Sequence, residues 1–224
     1  MLPFTREQFF GIFVDYNAGV WPVQVIACLI GIGSVALLIR PSRTGSRVVA
    51  GALAVMWIWT GIAYHGFYFS AINKAAYAFA ALFVLQGLLL IYFGVAKTRL
   101  MFDARVGSSP ALGWALIAYA AVVYPLIGLG SGHRLGELPM FGITPCPVTI
   151  FTFGLLLLAA SPVPHWLFMI PIIWSVIGGS AAFLLGVPQD WLLLFGGVTI
   201  AVILRRRQRE AVPSPSRSTI DSRG

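Results

Sequence analysis

Long apolar runs, separated by short polar and basic segments, dominate the chain. A helix needs about 20 predominantly apolar residues to cross the core of a bilayer. Seven runs are near that length, at residues 20–39, 48–69, 75–96, 110–130, 147–160, 166–186 and 189–204. The pattern predicts an all-α fold, a polytopic transmembrane helix bundle of about seven spans in one domain. The runs 147–160 and 189–204 are short, so a partly re-entrant start of the fifth span is an alternative.

The segment before the first run, residues 1–19, has a different pattern. Thr5 and Gln8 have the spacing of a capping box, which marks the N-terminus of a helix. Apolar residues then share one face: Phe9, Phe10, Phe13 and Val14. We predict an amphipathic helix over residues 5–16 that lies in the membrane interface. A disordered tail is the alternative, because short isolated helices are marginally stable.

Basic residues separate into two groups when the loops alternate across the bilayer. One side holds ten: Arg40, Arg43, Arg47, Lys97, Arg99, Arg105, Arg205, Arg206, Arg207 and Arg209. The other side holds three: Arg6, Lys74 and Arg134. Cytoplasmic loops carry the excess of Lys and Arg. The N-terminus is therefore predicted outside and the C-terminus inside, with residues 205–224 as a basic, disordered cytoplasmic tail.

Composition agrees with the membrane prediction. The chain is 58% apolar and 10% charged, whereas soluble domains are about 25% charged. The lipid bilayer is thus its principal partner, and a homo-oligomer is compatible with the sequence. The net charge of +8 does not indicate nucleic-acid binding, because the basic residues form short loop clusters instead of a stripe interleaved with aromatics.

Polar residues near the predicted outer surface are the candidates for chemistry, because polar groups inside a membrane are costly and often functional. We select as candidate substrate-binding residues His65, His133, Arg134, Cys146, Thr149 and Asn17. A small solute or ion is the corresponding ligand. Each residue also has an ordinary structural role open to it, in packing, hydrogen bonding or interfacial anchoring.

Three of these residues have side chains that bind metals. The topology places His65, His133 and Cys146 in one outer layer, and imidazole and thiolate are ligands for copper or zinc. The two histidines could instead ligate a b-type haem. The cofactor, a metal ion or haem, is therefore left open.

Small residues spaced four apart indicate a helix-packing face in the sixth run, at Gly178, Ala182 and Gly186. Sequence motifs of hydrolases, metalloproteases and P-loop enzymes are not found in the chain, which favours a function other than catalysis.

The chain resembles a family of bacterial seven-span inner-membrane proteins of unknown function, some of them labelled permeases. The residues that carry the resemblance are Leu2-Pro3-Phe4-Thr5, Gln8-Phe9, Tyr16-Asn17, Trp21-Pro22, Gly61-Ile62-Ala63-Tyr64-His65, Gly132-His133-Arg134, Pro145-Cys146-Pro147-Val148-Thr149-Ile150-Phe151-Thr152 and residues 177–186. The resemblance implies a multipass protein of the bacterial inner membrane and no defined activity.

These observations lead to one principal functional hypothesis and two alternatives. The principal hypothesis is a small permease or accessory membrane protein with a solute or metal site that opens outward. The alternatives are a haem- or metal-binding redox protein and a structural membrane subunit.

Overall fold

The computed structural model describes residues 2–105 and 109–210, and for residues 204–210 the backbone alone. Helices make up most of this part of the chain, which contains no strand beyond an isolated bridge between Phe102 and Ala159. The described helices are α1 (Arg6–Gly19), α2 (Val23–Ile39), α3 (Arg43–Ala71), α4 (Ala76–Ala96), α5 (Pro110–Gly130), α6 (Pro145–Leu157), α7 (Trp166–Leu184) and α8 (Trp191–Glu210). The all-α prediction is confirmed for these residues.

Helices α2 to α8 run alternately between two ends of a bundle. One end carries the basic loops, which hydrogen bonds tie together. The Phe102 amide donates to the Ser46 hydroxyl at 3.1 Å, and the Ser161 hydroxyl donates to the Arg99 carbonyl at 2.8 Å. The loops 40–43, 97–105 and 158–165 thus meet at one end, which we call the basic end.

Helix α1 lies across the opposite end. Its predicted capping box is confirmed: the Gln8 amide donates to Thr5 Oγ1 and the Thr5 amide to Gln8 Oε1. A bend of 85° separates α1 from α2. The apolar face of α1 is buried against the bundle through Phe9, Phe13 and Tyr16, so the protein itself covers much of the face that we expected to contact lipid.

Helix α6 occupies the centre of the bundle. All of its 13 residues are buried, and it packs on α5 and α7. Pro145 and Pro147 lie in its first turn, where backbone N–H groups have no partner within the helix. They therefore begin the helix without interrupting it.

Helices α7 and α8 pack closely through small residues. A Cβ atom on Gly179 would lie 3.0 Å from the Leu194 Cα atom, and Gly197 packs against Ser175. The predicted row Gly178, Ala182 and Gly186 does not form one helical face. Gly186 follows the end of α7 with a φ of +66°, and the Gly178 position adjoins the Trp174 indole of its own helix.

Four of the described helices, α3, α4, α5 and α7, are long and apolar enough to cross a membrane. The bent pair α1 and α2 makes a fifth candidate when it is counted as one span, and α6 is shorter. Helix α8 continues through residues 205–210, part of the predicted tail, whereas residues 211–224 lie outside the described part of the chain.

Candidate functional site

A cavity of about 160 Å³ lies under α1, at the end of the bundle opposite the basic end. Helices α1, α3, α4, α6, α7 and α8 or the residues next to their ends contribute to its walls. Aromatic rings form much of the surface, from Phe4, Phe9, Phe13, Tyr64, Phe69, Phe79 and Trp174. Leu2 and Leu184 are exposed members of the lining. The volume is close to the roughly 150 Å³ of an engineered protein cavity that binds benzene.

His65 is a polar group of this cavity with no protein partner. Its side chain is fully buried, and neither ring nitrogen has a hydrogen-bond partner among the described residues. Aromatic rings surround it, with centroids 4.7 Å away at Phe83 and 5.0 Å away at Trp174. A neutral imidazole carries one donor and one acceptor. Both are therefore left without the partner that a buried polar group normally has.

His65 is positioned by an irregular stretch of α3. Residues Thr60–Tyr68 form a π-helical segment inside the longer helix, and such segments often occur at functional sites. Gly61 allows this segment to approach α4, because a Cβ atom there would lie 2.9 Å from the Ala80 carbonyl oxygen. This close approach sets His65 beside Phe79 and Phe83 of α4.

Trp174 and Cys146 form the adjoining wall. The Trp174 Nε1 atom is buried and makes no hydrogen bond to the described residues, although it lies beside the Cys146 thiol. Cys146 is buried in the first turn of α6. The cavity thus presents a second donor, the indole N–H, next to a thiol.

Asp190 is the only buried acid in the described part of the chain. It immediately precedes α8 and lines the cavity. The Tyr124 hydroxyl donates to Asp190 Oδ1 at 2.7 Å, and the Cys146 thiol is a further neighbour of this carboxyl group. The residue before Asp190, Gln189, is also held in place, because its carbonyl accepts a hydrogen bond from the Tyr119 hydroxyl at 2.8 Å.

Of the six predicted site residues, the cavity brings together His65 and Cys146. His133 lies on the loop after α5, stacks on Phe10 at 4.2 Å, and approaches Glu137 Oε2 with Nδ1 at 3.4 Å. The Arg134 side chain is exposed on the same loop. The Arg134 backbone N–H and then the His133 side chain hold the pKa of Glu137 below its ordinary value.

Asn17 and Thr149 have local structural partners. The Asn17 amide donates to the Gly136 and Leu138 carbonyls, both at 2.9 Å, and so attaches α1 to the loop after α5. The Thr149 hydroxyl donates to the Pro145 carbonyl within α6 at 2.8 Å. Neither residue is part of the cavity lining.

The expected metal cluster of His65, His133 and Cys146 is not formed. Among the described residues, no three His, Cys, Asp or Glu side chains are grouped so that they could hold a metal ion. The reason is the position of His133, which the Phe10 stack and Glu137 hold outside the cavity. The two histidines of the haem hypothesis likewise do not line the same cavity.

Sequence reasoning missed two central residues, Asp190 and Trp174. A signal for Asp190 existed, because it is a carboxylate at the start of the seventh apolar run with no basic neighbour in sequence. Trp174 gave no comparable signal, because a tryptophan within an apolar run fits packing equally well.

Apolar helices of membrane-spanning length, together with an aromatic cavity that contains unpaired polar groups, characterise the described part of this helical protein. The chain belongs to the family of unknown function DUF6064, whose model matches residues 6–213. No curated protein and no solved structure gives a significant match. The family assignment therefore brings no activity, and the function has to be argued from the cavity.

Proposed function

We propose that this protein is a multipass protein of the bacterial inner membrane that binds a small organic molecule in the cavity next to His65. The surfaces of its helices support the membrane location. Large apolar side chains are exposed along them, including Leu29, Val55, Leu88, Phe195 and Val198. Soluble proteins rarely expose such extended apolar surface, whereas lipid covers it without cost.

The proposal includes seven crossings with the cavity on the outer side. The alternation of α2 to α8 between two ends supports seven. The shorter α6 is compatible with them because protein surrounds it on all sides. The concentration of Arg and Lys at the basic end supports a cytoplasmic assignment for that end. Reporter fusions after Arg47 and Arg105 should read cytoplasmic, and fusions at Lys74 and Arg134 external. The same side for Arg105 and Arg134 would contradict the proposed topology.

The observation that carries the binding function is the unpaired His65 ring. Burying a polar group without a hydrogen bond costs roughly 1–3 kcal/mol in proteins. Among the described residues, the indole N–H of Trp174 has only the weakly accepting Cys146 sulfur beside it. Both groups line a space the size of one aromatic ring. A ligand with an oxygen or nitrogen atom would supply the missing partner. Pockets for drug-sized molecules are larger, about 300–1,000 Å³, so the ligand is small.

Benzyl alcohol is a suitable probe, because it combines one ring with one hydroxyl group. Calorimetric titration of the purified protein in detergent should show saturable binding. The variant His65→Phe keeps a ring of similar size but cannot form the hydrogen bond, so it should bind benzyl alcohol at least about tenfold more weakly.

A matched control is His165→Phe. His165 is an exposed histidine beside Trp166 at the basic end, and this substitution should leave binding unchanged. Equal losses in both variants, or no saturable binding to the unmodified protein, would refute the proposed function.

A further inference from the structure

An ionised Asp190 would have no counter-ion among the described side chains. Every Lys and Arg side chain that the structure describes is exposed, and the acids there that contact a basic side chain are Asp103, beside Arg105, and Glu137, beside His133. Buried charges in proteins are normally paired. Asp190 therefore lines the cavity as a buried acid that forms no ion pair with the described side chains.

Hydrogen-bond donors around Asp190 oppose the cost that burial adds to its ionised form. Tyr124 donates a hydrogen bond to Oδ1, and the Cys146 thiol interacts with the same carboxyl group. Donors directed at a carboxylate stabilise the charged state. Helix α8 begins at the next residue, Trp191. The N-terminus of a helix acts as about half an elementary positive charge. None of these groups carries a full positive charge, so a cation in the cavity would be the counter-ion of an ionised Asp190.

The aromatic walls of the cavity suit a cation. Trp174, Tyr64 and Phe79 line the cavity together with Asp190. The faces of aromatic rings attract cations, and the attraction increases when water is excluded. A hydrated metal ion would lose its water here without gaining oxygen ligands, since hard cations need about six oxygens. An organic cation keeps its apolar groups against the rings and needs far fewer polar contacts.

We infer that the molecule bound by the cavity is a small organic ammonium ion, whose charged nitrogen lies beside Asp190 and whose carbon skeleton contacts the aromatic walls. This inference rests on the proposed function and adds the chemical class of the ligand. His65 and Trp174 then form hydrogen bonds with a second polar atom of the same ligand.

The experiment compares two probes of the same shape, benzylamine and benzyl alcohol, on the full-length protein in detergent at neutral pH. Benzylamine is protonated there and differs from the alcohol in charge. We expect it to bind at least about tenfold more tightly than the alcohol. The variant Asp190→Asn retains an acceptor for Tyr124 and should remove this preference. Asp103→Asn, which changes a carboxylate at the basic end, is the matched control and should keep it.

The outcomes separate this inference from the proposed function. Binding of benzyl alcohol alone, or equal affinity for both probes, overturns the ammonium assignment and leaves the binding function intact. A preference for benzylamine that survives Asp190→Asn also overturns it. Binding of neither probe refutes both. If Asp190→Asn does not fold, the ratio of the two affinities on the unmodified protein decides the question.

Discussion

The contact between α5 and α6 offers a direct test of how the bundle holds the cavity together. The two helices approach each other through Gly113 and Gly154. A Cβ atom on Gly154 would lie 2.8 Å from the Gly113 carbonyl oxygen and 3.1 Å from the Ile117 backbone nitrogen. The first distance is 0.6 Å less than the 3.4 Å at which ordinary contact begins. Because these neighbours are backbone atoms, the helices themselves must move apart in Gly154→Ala.

The expected cost follows from two opposing effects. Overpacking typically destabilises a protein by about 1–3 kcal/mol, while replacing a helical glycine by alanine stabilises the helix by up to about 1 kcal/mol. We expect Gly154→Ala to lower the free energy of unfolding by about 1–2 kcal/mol. Reversible unfolding by a denaturing detergent, followed from mild detergent micelles, measures this change.

The control is Gly33→Ala in α2. A Cβ atom on Gly33 would meet no atom within 4 Å. The stability of this variant therefore changes only through the higher helix propensity of alanine. Its stability should be unchanged or should increase by up to about 1 kcal/mol. If Gly154→Ala is as stable as Gly33→Ala, the close approach of α5 and α6 is wrong, and with it the position of Cys146 at the cavity.

Three further predictions concern other parts of the molecule. Gly179→Leu should separate α7 from α8 and lower the melting temperature in detergent, because the added side chain meets the backbone of Leu194; an unchanged melting temperature would contradict this contact. His65→Phe should leave the ligand-free protein as stable as the unmodified protein or more stable, because it removes an unpaired buried polar group; clear destabilisation would mean that His65 has a protein partner. Glu137 accepts a hydrogen bond from the Arg134 amide at 3.0 Å, and its pKa is held below the ordinary 4.5. Its stabilising effect is therefore complete above the unfolded-state pKa and lost as the pH falls through the folded-state value. Glu137→Ala, which removes the acceptor, should therefore accelerate exchange of the Arg134 amide hydrogen more at neutral pH than in strong acid; equal exchange rates at neutral pH would exclude this role.

The sequence predicted the helical class and the start of α1 because both depend on local pattern. Apolar runs near bilayer length have few alternatives to helices, and the Thr5–Gln8 box acts within one turn. The position of His65 also followed from the pattern, since it lies near the end of an apolar run. The absence of a hydrogen-bond partner for His65 could not be predicted, because it depends on the aromatic neighbours that α4 and α7 supply.

Residues outside the helices were harder to place from the sequence. His133 belongs to the same predicted layer as His65, yet a stack on Phe10 and an approach to Glu137 direct it elsewhere. Such contacts between α1 and a loop more than a hundred residues later leave no periodic signal. The burial of Asp190 likewise depends on Tyr124 from another helix, so the charge of the cavity could be found in the fold but not in the pattern.

The enclosed position of α6 has a consequence for how the protein is made. At about 1.5 Å per residue, its 13 residues extend roughly 20 Å, short of the roughly 30 Å hydrocarbon layer. A newly synthesised segment of this length gains little by entering lipid alone. In the proposed topology, α6 would remain at the translocation channel until α5 and α7 have been synthesised, and the three helices would enter the membrane together. Substitutions in α5 or α7 should therefore reduce the amount of α6 that is inserted into the membrane, whether or not a ligand is present.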